Sequence, residues 1–174
     1  ERGFELPEGE VAAGLARTPT HGRMEVIRRL PQIMIDGAHN PESIQALMRS
    51  IGAHCRYDSV VAIFGCAADK DVPGMLAKLA LGADKIIFTR AADNPRAIDA
   101  RELARRFAEI SPKMTQTAAT LKDAINIAAR AVARDDLILV TGSFYLAGEA
   151  KRLMERALRP DSPERANAQI EFKR

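Results

Sequence analysis

Residues 32–41, Gln32-Ile33-Met34-Ile35-Asp36-Gly37-Ala38-His39-Asn40-Pro41, read as a short apolar strand that ends in polar residues and runs straight into a helix. The strand part lacks polar alternation, which is the pattern of a strand covered on both faces. Residues 59–64, 85–89 and 137–140 share that character. Between these runs lie stripes of helical period. Ile44, Leu47, Met48 and Ile51 follow the i, i+3, i+4, i+7 spacing, with Gly52 as the expected stop. Met75, Leu76 and Leu79 repeat the theme ahead of Gly82. Leu103, Phe107 and Ile110 form a third stripe, opened by an expected capping box of Asp99 with Glu102. Leu121, Ile125, Ala128 and Val132 form a fourth, opened by Thr120 with Asp123, and Ala150, Leu153, Met154 and Ala157 a fifth. Residues 24–28 read as an extra strand that 29–32 turn back on the first buried one, hence antiparallel and at an edge. Residues 114–118 are a weaker strand candidate. The fold class is therefore α/β: a doubly wound, Rossmann-like sheet of about six mostly parallel strands, about five helices on its two faces, and one antiparallel edge strand.

Composition narrows the class further. The 174 residues suit one domain with tails, and 47% hydrophobic with 28% charged is ordinary for a water-soluble domain. Aromatics are only 5% and Trp is absent, so the core must be aliphatic, as helices packed on a sheet allow. The 26 basic residues are nearly balanced by 23 acidic ones without a long basic block. That balance argues against nucleic-acid binding while leaving room for an anionic small molecule. Cys55 and Cys66 form no CxxC pair and have no histidine cluster beside them, so free thiols are expected. No stretch approaches the ~18 apolar residues of a membrane span. The expectation is a cytoplasmic protein with no membrane and no nucleic-acid partner. Residues 1–22 and 160–174 are polar and contain proline, and read as a linker remnant and a tail.

In a sheet of this kind ligands bind beyond the carboxyl ends of the strands. Asp36 offers a carboxylate there, Gly37 permits close approach of a ligand to the backbone, and His39 faces the same crevice beside the free N–H groups of the following helix. Asn40 before Pro41 has two readings, a helix N-cap with proline at the first position or a contact in the crevice. Ser143, after the last strand, likewise reads as a plain cap or as a hydroxyl beside anion-binding N–H groups. Asp93-Asn94-Pro95-Arg96 follows the third buried strand, again at the ligand edge. Arg96 there is a contact to substrate or nucleotide, or a loop-stabilising arginine. Asp71 in the charged 69–71 loop reads as a cap, and Lys70 is not singled out as catalytic.

Four blocks of sequence resemble the C-terminal domain of folylpolyglutamate and dihydrofolate synthases, members of the Mur ligase superfamily. They are Gly22-Arg23-Met24-Glu25-Val26, Asp36-Gly37-Ala38-His39-Asn40-Pro41, Phe64-Gly65 with Asp69-Lys70-Asp71, and Val140-Thr141-Gly142-Ser143-Phe144-Tyr145-Leu146 with Gly148-Glu149. Their order and spacing agree from about Gly14 to Met154. The resemblance implies that residues 23–159 are a ligase C-terminal domain. It also implies a reaction in which ATP phosphorylates a carboxylate of a reduced folate, or in some members of dihydropteroate to make dihydrofolate, and the amine of L-glutamate attacks the acyl phosphate. On this reading Arg23 and Asp36 contact the nucleotide, with Asn40 beside them. His39 stabilises the acyl phosphate or orients the amino acid, and Ser143 and Arg96 meet the glutamate. ATP and Mg2+ are the implied cofactors, the metal held mainly by an N-terminal ATPase domain of the same polypeptide. No metal site is expected on this chain, and a monomer is. No GxxxxGK[ST] loop occurs here, so the phosphate cradle must lie elsewhere and the chain alone should not catalyse. His21 stands where many relatives have proline, which bears on the path of the linker.

Two other functions compete. The Asp93–Arg96 run resembles one in the diaminopimelate-adding Mur ligase. Gly142-Ser143-Phe144-Tyr145 and Asp36-Gly37 depart from that enzyme's Gly-Lys-Gly-His-Glu and Asp-Tyr. A non-catalytic nucleotide-binding module is the third reading. A dinucleotide oxidoreductase is disfavoured because no strand is followed by GxGxxG.

Overall fold

A computed structural model describes Gly3 and residues 6–158. In chain order the elements are α1 (Glu8–Ala16), β1 (Glu25–Arg29), β2 (Gln32–Ile35), α2 (Pro41–His54), β3 (Val60–Phe64), α3 (Val72–Gly82), β4 (Lys85–Phe88), α4 (Ala100–Ala108), β5 (Thr115–Thr117), α5 (Leu121–Ala131), β6 (Leu137–Thr141) and α6 (Phe144–Leu158). The six strands form one sheet in the order β1-β2-β6-β3-β4-β5. Every pair is parallel except β1 with β2.

The apolar runs are continuous because the strands are packed from both sides. Met34, Val60, Ala62, Phe64, Ile86 and Phe88 join α2, α3 and α4 in one core cluster. Their strand neighbours Ile33, Ile35, Val61, Ile63, Ile87, Ile138 and Val140 join α5 and α6 in the other. Alternate residues point to opposite faces of a strand, so both sets must be apolar when neither face meets water. The aromatic economy is visible as well. Phe64, Phe88 and Phe107 meet in tilted and edge-on pairs on the first face, and the rest of both cores is aliphatic.

The helices leaving β2 and β3 lie on one face while the helix after β6 lies on the other. The connections therefore diverge over the carboxyl end of β6, which opens a crevice there, as expected where the winding direction reverses.

Four local expectations need correction. Five helices pack on the sheet, as expected, but among the described residues a sixth, Glu8–Ala16, lies inside the expected linker. Its Ala-rich sequence and first-turn glutamates favour a helix, yet it buries no residue. Gly52 does not stop α2, which continues to His54 because the Cys55 N–H still reaches the Ile51 carbonyl at 2.9 Å. The capping box at α4 is incomplete. Asp99 caps the Arg101 N–H, but Glu102 turns instead to Arg105 and Arg106, whose guanidiniums pull its carboxyl down to about 2. Ile110 falls beyond the end of α4 and is 39% exposed. The expected tail at 160–174 lies outside the described residues.

Candidate functional site

Three connections build the site. The first leaves β2. Asn40 caps α2, its Oδ1 accepting from the Ser43 N–H at 2.8 Å, while Ser43 Oγ accepts from the Asn40 N–H at 3.1 Å. The same hydroxyl accepts from the His39 N–H, so both residues are fixed by Ser43. His39 Nδ1 lies 2.8 Å from the Gly37 carbonyl. A carbonyl only accepts, so Nδ1 carries the proton and Nε2 is left for a ligand. Asp36 has both carboxylate oxygens on backbone amides: Oδ1 accepts from Ala38 at 2.7 Å and Oδ2 from Met24 at 2.9 Å. Its observed role is to clamp the linker turn to the strand end, with the Gly37 N–H reinforcing it on the Gly22 carbonyl at 2.7 Å.

The second connection leaves β6. Ser143 is 7% exposed and its Oγ accepts from the Leu146 N–H at 3.2 Å, so it caps α6. As a hydroxyl it keeps one hydrogen to donate. Phe144 follows and is the hub that sequence reading passed over. Its ring lies against Gly37, where any Cβ would collide with it, so residue 37 must be glycine for the ring to sit there. Arg23 stacks on the ring, Cζ 5.2 Å from its centroid, and the His39 ring lies 6.0 Å away. Only the block Gly142–Leu146 hinted at this in sequence, and it gave Phe144 no task of its own.

The third group comes from the loops after β3 and β4, which are stitched together. The Ala68 N–H meets the Arg96 carbonyl, the Ile98 N–H meets the Cys66 carbonyl, and Ala67 bridges Ala97. Asn94, 6% exposed, accepts from the Arg96 N–H at 3.1 Å and shapes the turn. Arg96 Nη1 pairs with Asp69 Oδ2 at 3.1 Å, and Lys70 Nζ stands 3.7 Å from the same oxygen. Asp71 caps α3, as expected. Burial pushes the Cys66 thiol up to about 12, which makes it inert rather than nucleophilic. Contacts of Glu149 with the Ala92 N–H and of Arg152 with Asp93 tie the β4 loop to α6.

The three connections enclose a cavity of about 170 Å3 lined by His39, Lys70, Arg96, Ser143 and Phe144 among others. Sites for larger ligands run roughly 300–1,000 Å3. The volume therefore suits an amino acid and not a whole nucleotide. His39, Ser143 and Arg96 are thus brought together, with Lys70 added. Arg23 and Asp36 do not line the cavity; they lie by the linker turn, and Phe144 links the two places. Asn40 is exposed and its side-chain oxygen is engaged in the cap. Among the described residues no three His, Cys, Asp or Glu side chains converge to hold a metal ion.

The model of the Mur ligase glutamate ligase domain matches residues 22–144. The dihydrofolate synthase/folylpolyglutamate synthase of Mycobacterium tuberculosis is 34% identical over 166 residues, 87% of this chain and 34% of that protein. The chain thus spans about a third of the length of this relative. The UDP-N-acetylmuramoyl-L-alanyl-D-glutamate–2,6-diaminopimelate ligase of Coxiella burnetii is 31% identical over 131 residues, 70% of this chain and 26% of that protein. The crystal structure of Mycobacterium tuberculosis folylpolyglutamate synthase complexed with ADP and AMPPCP superposes with a TM-score of 0.79 at 34% identity, over 86% of this chain and 36% of that one. With the glutamate ligase domain model covering most of its length, this chain belongs to the Mur ligase family.

Proposed function

We propose that the chain is the amino-acid-binding part of an ATP-dependent ligase that adds L-glutamate to a reduced folate through an acyl phosphate. The observation that carries this reading is the convergence of His39, Lys70, Arg96 and the Ser143 hydroxyl on one small cavity. Glutamate brings two carboxylates, and a site to receive it needs donors and positive charge on more than one wall. The Ser143 hydroxyl supplies a donor and His39 Nε2 an acceptor for the amino group of the guest at one end, Lys70 and Arg96 charge at the other. Asp69 already shares its charge with both cations, which lowers their net field and leaves room for one anionic guest. Arg23, exposed over Phe144, is the group of this chain placed to meet the nucleotide phosphates. ATP with Mg2+ would supply the phosphoryl group, bound mainly by the rest of a longer polypeptide. On the nucleotide side Asp36 shapes the linker turn and Asn40 the start of α2. The cavity is compatible with one copy of the chain.

Diaminopimelate remains the second substrate to weigh, because of the Asp93–Arg96 run and the Coxiella burnetii relative. The deciding assay gives the full-length enzyme ATP with either a reduced folate and labelled glutamate or a UDP-muramoyl dipeptide and labelled diaminopimelate. Glutamate incorporation is expected. Incorporation of diaminopimelate into a muramoyl dipeptide, with none of glutamate into folate, would replace this reading by the cell-wall one. Tight ATP binding by this chain alone, measured by calorimetry, would favour a self-sufficient nucleotide module instead.

A further inference from the structure

Arg23 sits in an unusual backbone setting. Gly22 before it has φ 65° and Met24 after it has φ 44°, so the arginine is bracketed by two left-handed residues, one of them not glycine. Such a conformation is strained for a residue with a Cβ and persists only where its surroundings hold it. Here they do. The Gly22 N–H donates to Glu25 Oε2 at 2.8 Å, the Gly22 carbonyl accepts from Gly37, the Arg23 N–H reaches Thr20, and the Met24 N–H reaches Asp36. Three of these holds lie within the linker or on the end of β2. The Glu25 hold alone continues to a distant element, since Glu25 Oε1 accepts from Lys151 Nζ at 2.7 Å.

Lys151 lies seven residues after Phe144, two turns along α6 and on the same face. That face touches the linker turn twice, through the aromatic ring beneath Arg23 and through the ammonium on Glu25. The pair is partly shielded, at 31% and 21% side-chain exposure, and His21 adds a weak third partner at 4.0 Å. Burial works to raise the Glu25 carboxyl, but Lys151 and the Gly22 N–H outweigh it and hold it below its ordinary value.

We propose that Glu25 and Lys151 are positioning residues for Arg23, fastening the turn that carries it to α6 so that its guanidinium is held over Phe144, ready for the phosphates of a nucleoside triphosphate. The proposal rests on the reading of Arg23 as a phosphate contact. Its consequence is mechanical. The helix that presents Ser143 and Phe144 to the amino-acid cavity also holds the phosphate-side arginine, so the two halves of the site share one rigid support.

The test is steady-state kinetics of the full-length enzyme with ATP varied and glutamate and reduced folate saturating. Lys151→Met is expected to lower kcat/KM for ATP about tenfold, less than the ~100-fold attributed to a 1 Å misplacement of a catalytic group. KM for glutamate should stay within about twofold of the parent (~0.4 kcal/mol). Lys151→Arg keeps the charge and the reach and should recover most of the loss. Glu25→Gln retains an acceptor for Gly22 while losing the ion pair, and should fall between parent and Lys151→Met. In an Arg23→Ala background Lys151→Met should add little, since both changes remove the same contact. A parent that ligates glutamate and is impaired by Arg23→Ala, yet keeps its ATP kinetics in Lys151→Met, overturns the proposal alone. So does a Lys151→Met enzyme that loses several degrees of melting temperature with kcat/KM unchanged, which would make the clasp purely structural. A parent with no glutamate ligation overturns the functional reading and this proposal with it.

Discussion

The two ends of the parallel strands treat polar side chains in opposite ways. At the amino ends they are satisfied by the fold itself. Asp136, 8% exposed, accepts from Ser59 Oγ at 2.7 Å and from the Ala133 N–H at 2.6 Å, closing β6 onto β3. Asp84 accepts from the Val60 N–H, Lys85 donates to the Ala131 carbonyl, and Lys113 donates to the carbonyls of Ala80 and Ala83 at the end of α3. At the carboxyl ends the buried hydroxyls of Thr89 and Thr141 make no hydrogen bond, and His39, Lys70 and Arg96 face a cavity. One end closes the structure and the other is left open to a guest. The polar groups that keep bonding capacity and face the cavity, His39 Nε2 and the Ser143 hydroxyl, are the ones open to a guest.

The largest effect expected from breaking this contrast is at the closed end. Asp136→Ala removes the acceptor of two donors and should cost about 2–3 kcal/mol of stability. Activity per folded molecule should be unchanged, since the nearest site residues lie at the opposite end of β6. The Ala133 N–H holds the Asp136 carboxyl below its ordinary value, with Ser59 helping against the opposing effect of burial. A carboxyl depressed on folding stabilises above its unfolded value of about 3.9 and loses that contribution as pH falls through the lower folded value. The stability gap between parent and variant, followed by denaturant titration, should therefore be full at neutral pH and shrink in acid. A gap that grew in acid would reverse the assignment.

At the open end the order of effects inverts. His39→Ala in the full-length enzyme should lower turnover tenfold or more, ~1.4 kcal/mol per decade, with little loss of melting temperature. The imidazole donates to its own neighbour's carbonyl and otherwise faces the cavity, so few folding contacts depend on it. A fall in melting temperature to match Asp136→Ala would erase the distinction between the two ends.

Much of this division was legible in the sequence. The doubly covered strands declared themselves because burial on both faces removes polar alternation, as at Val60–Phe64, where every residue is buried. The ligand edge followed from strand direction, which placed Asp36, His39, Arg96 and Ser143 before any coordinates. The helix at Glu8–Ala16 was hidden because it packs on nothing described and so carries no buried stripe. The part of the site that escaped notice depends on contacts between distant segments. Phe144 is only one member of a matching block in the sequence; it becomes a hub when Gly22, Arg23, Gly37 and His39 arrive around it. Asp36 reads as a ligand contact until Met24 and Ala38 are seen on its two oxygens. Lys70 reads as one charge in a polar loop until the β3 and β4 loops are zipped together.

The smallest expected effect sharpens the contrast most, because it falls on a residue that both ends could claim. Arg96 is charged, 62% exposed on its side chain and paired with Asp69, as a loop-stabilising arginine would be. An exposed pair of this kind contributes roughly 0.2–1 kcal/mol, too little to justify a frame role. The turn itself is held by the Asn94 side chain on the Arg96 backbone N–H, which survives truncation of the arginine. Arg96→Ala should therefore leave melting temperature nearly unchanged while raising KM for glutamate about fivefold, close to 1 kcal/mol of lost carboxylate contact. Lys70 remains to hold part of the charge, which keeps the loss small. Arg96→Lys should recover only part of it, since an ammonium cannot reproduce a forked contact to a carboxylate. Unchanged glutamate kinetics together with a clear drop in stability would move Arg96 from the open end to the frame.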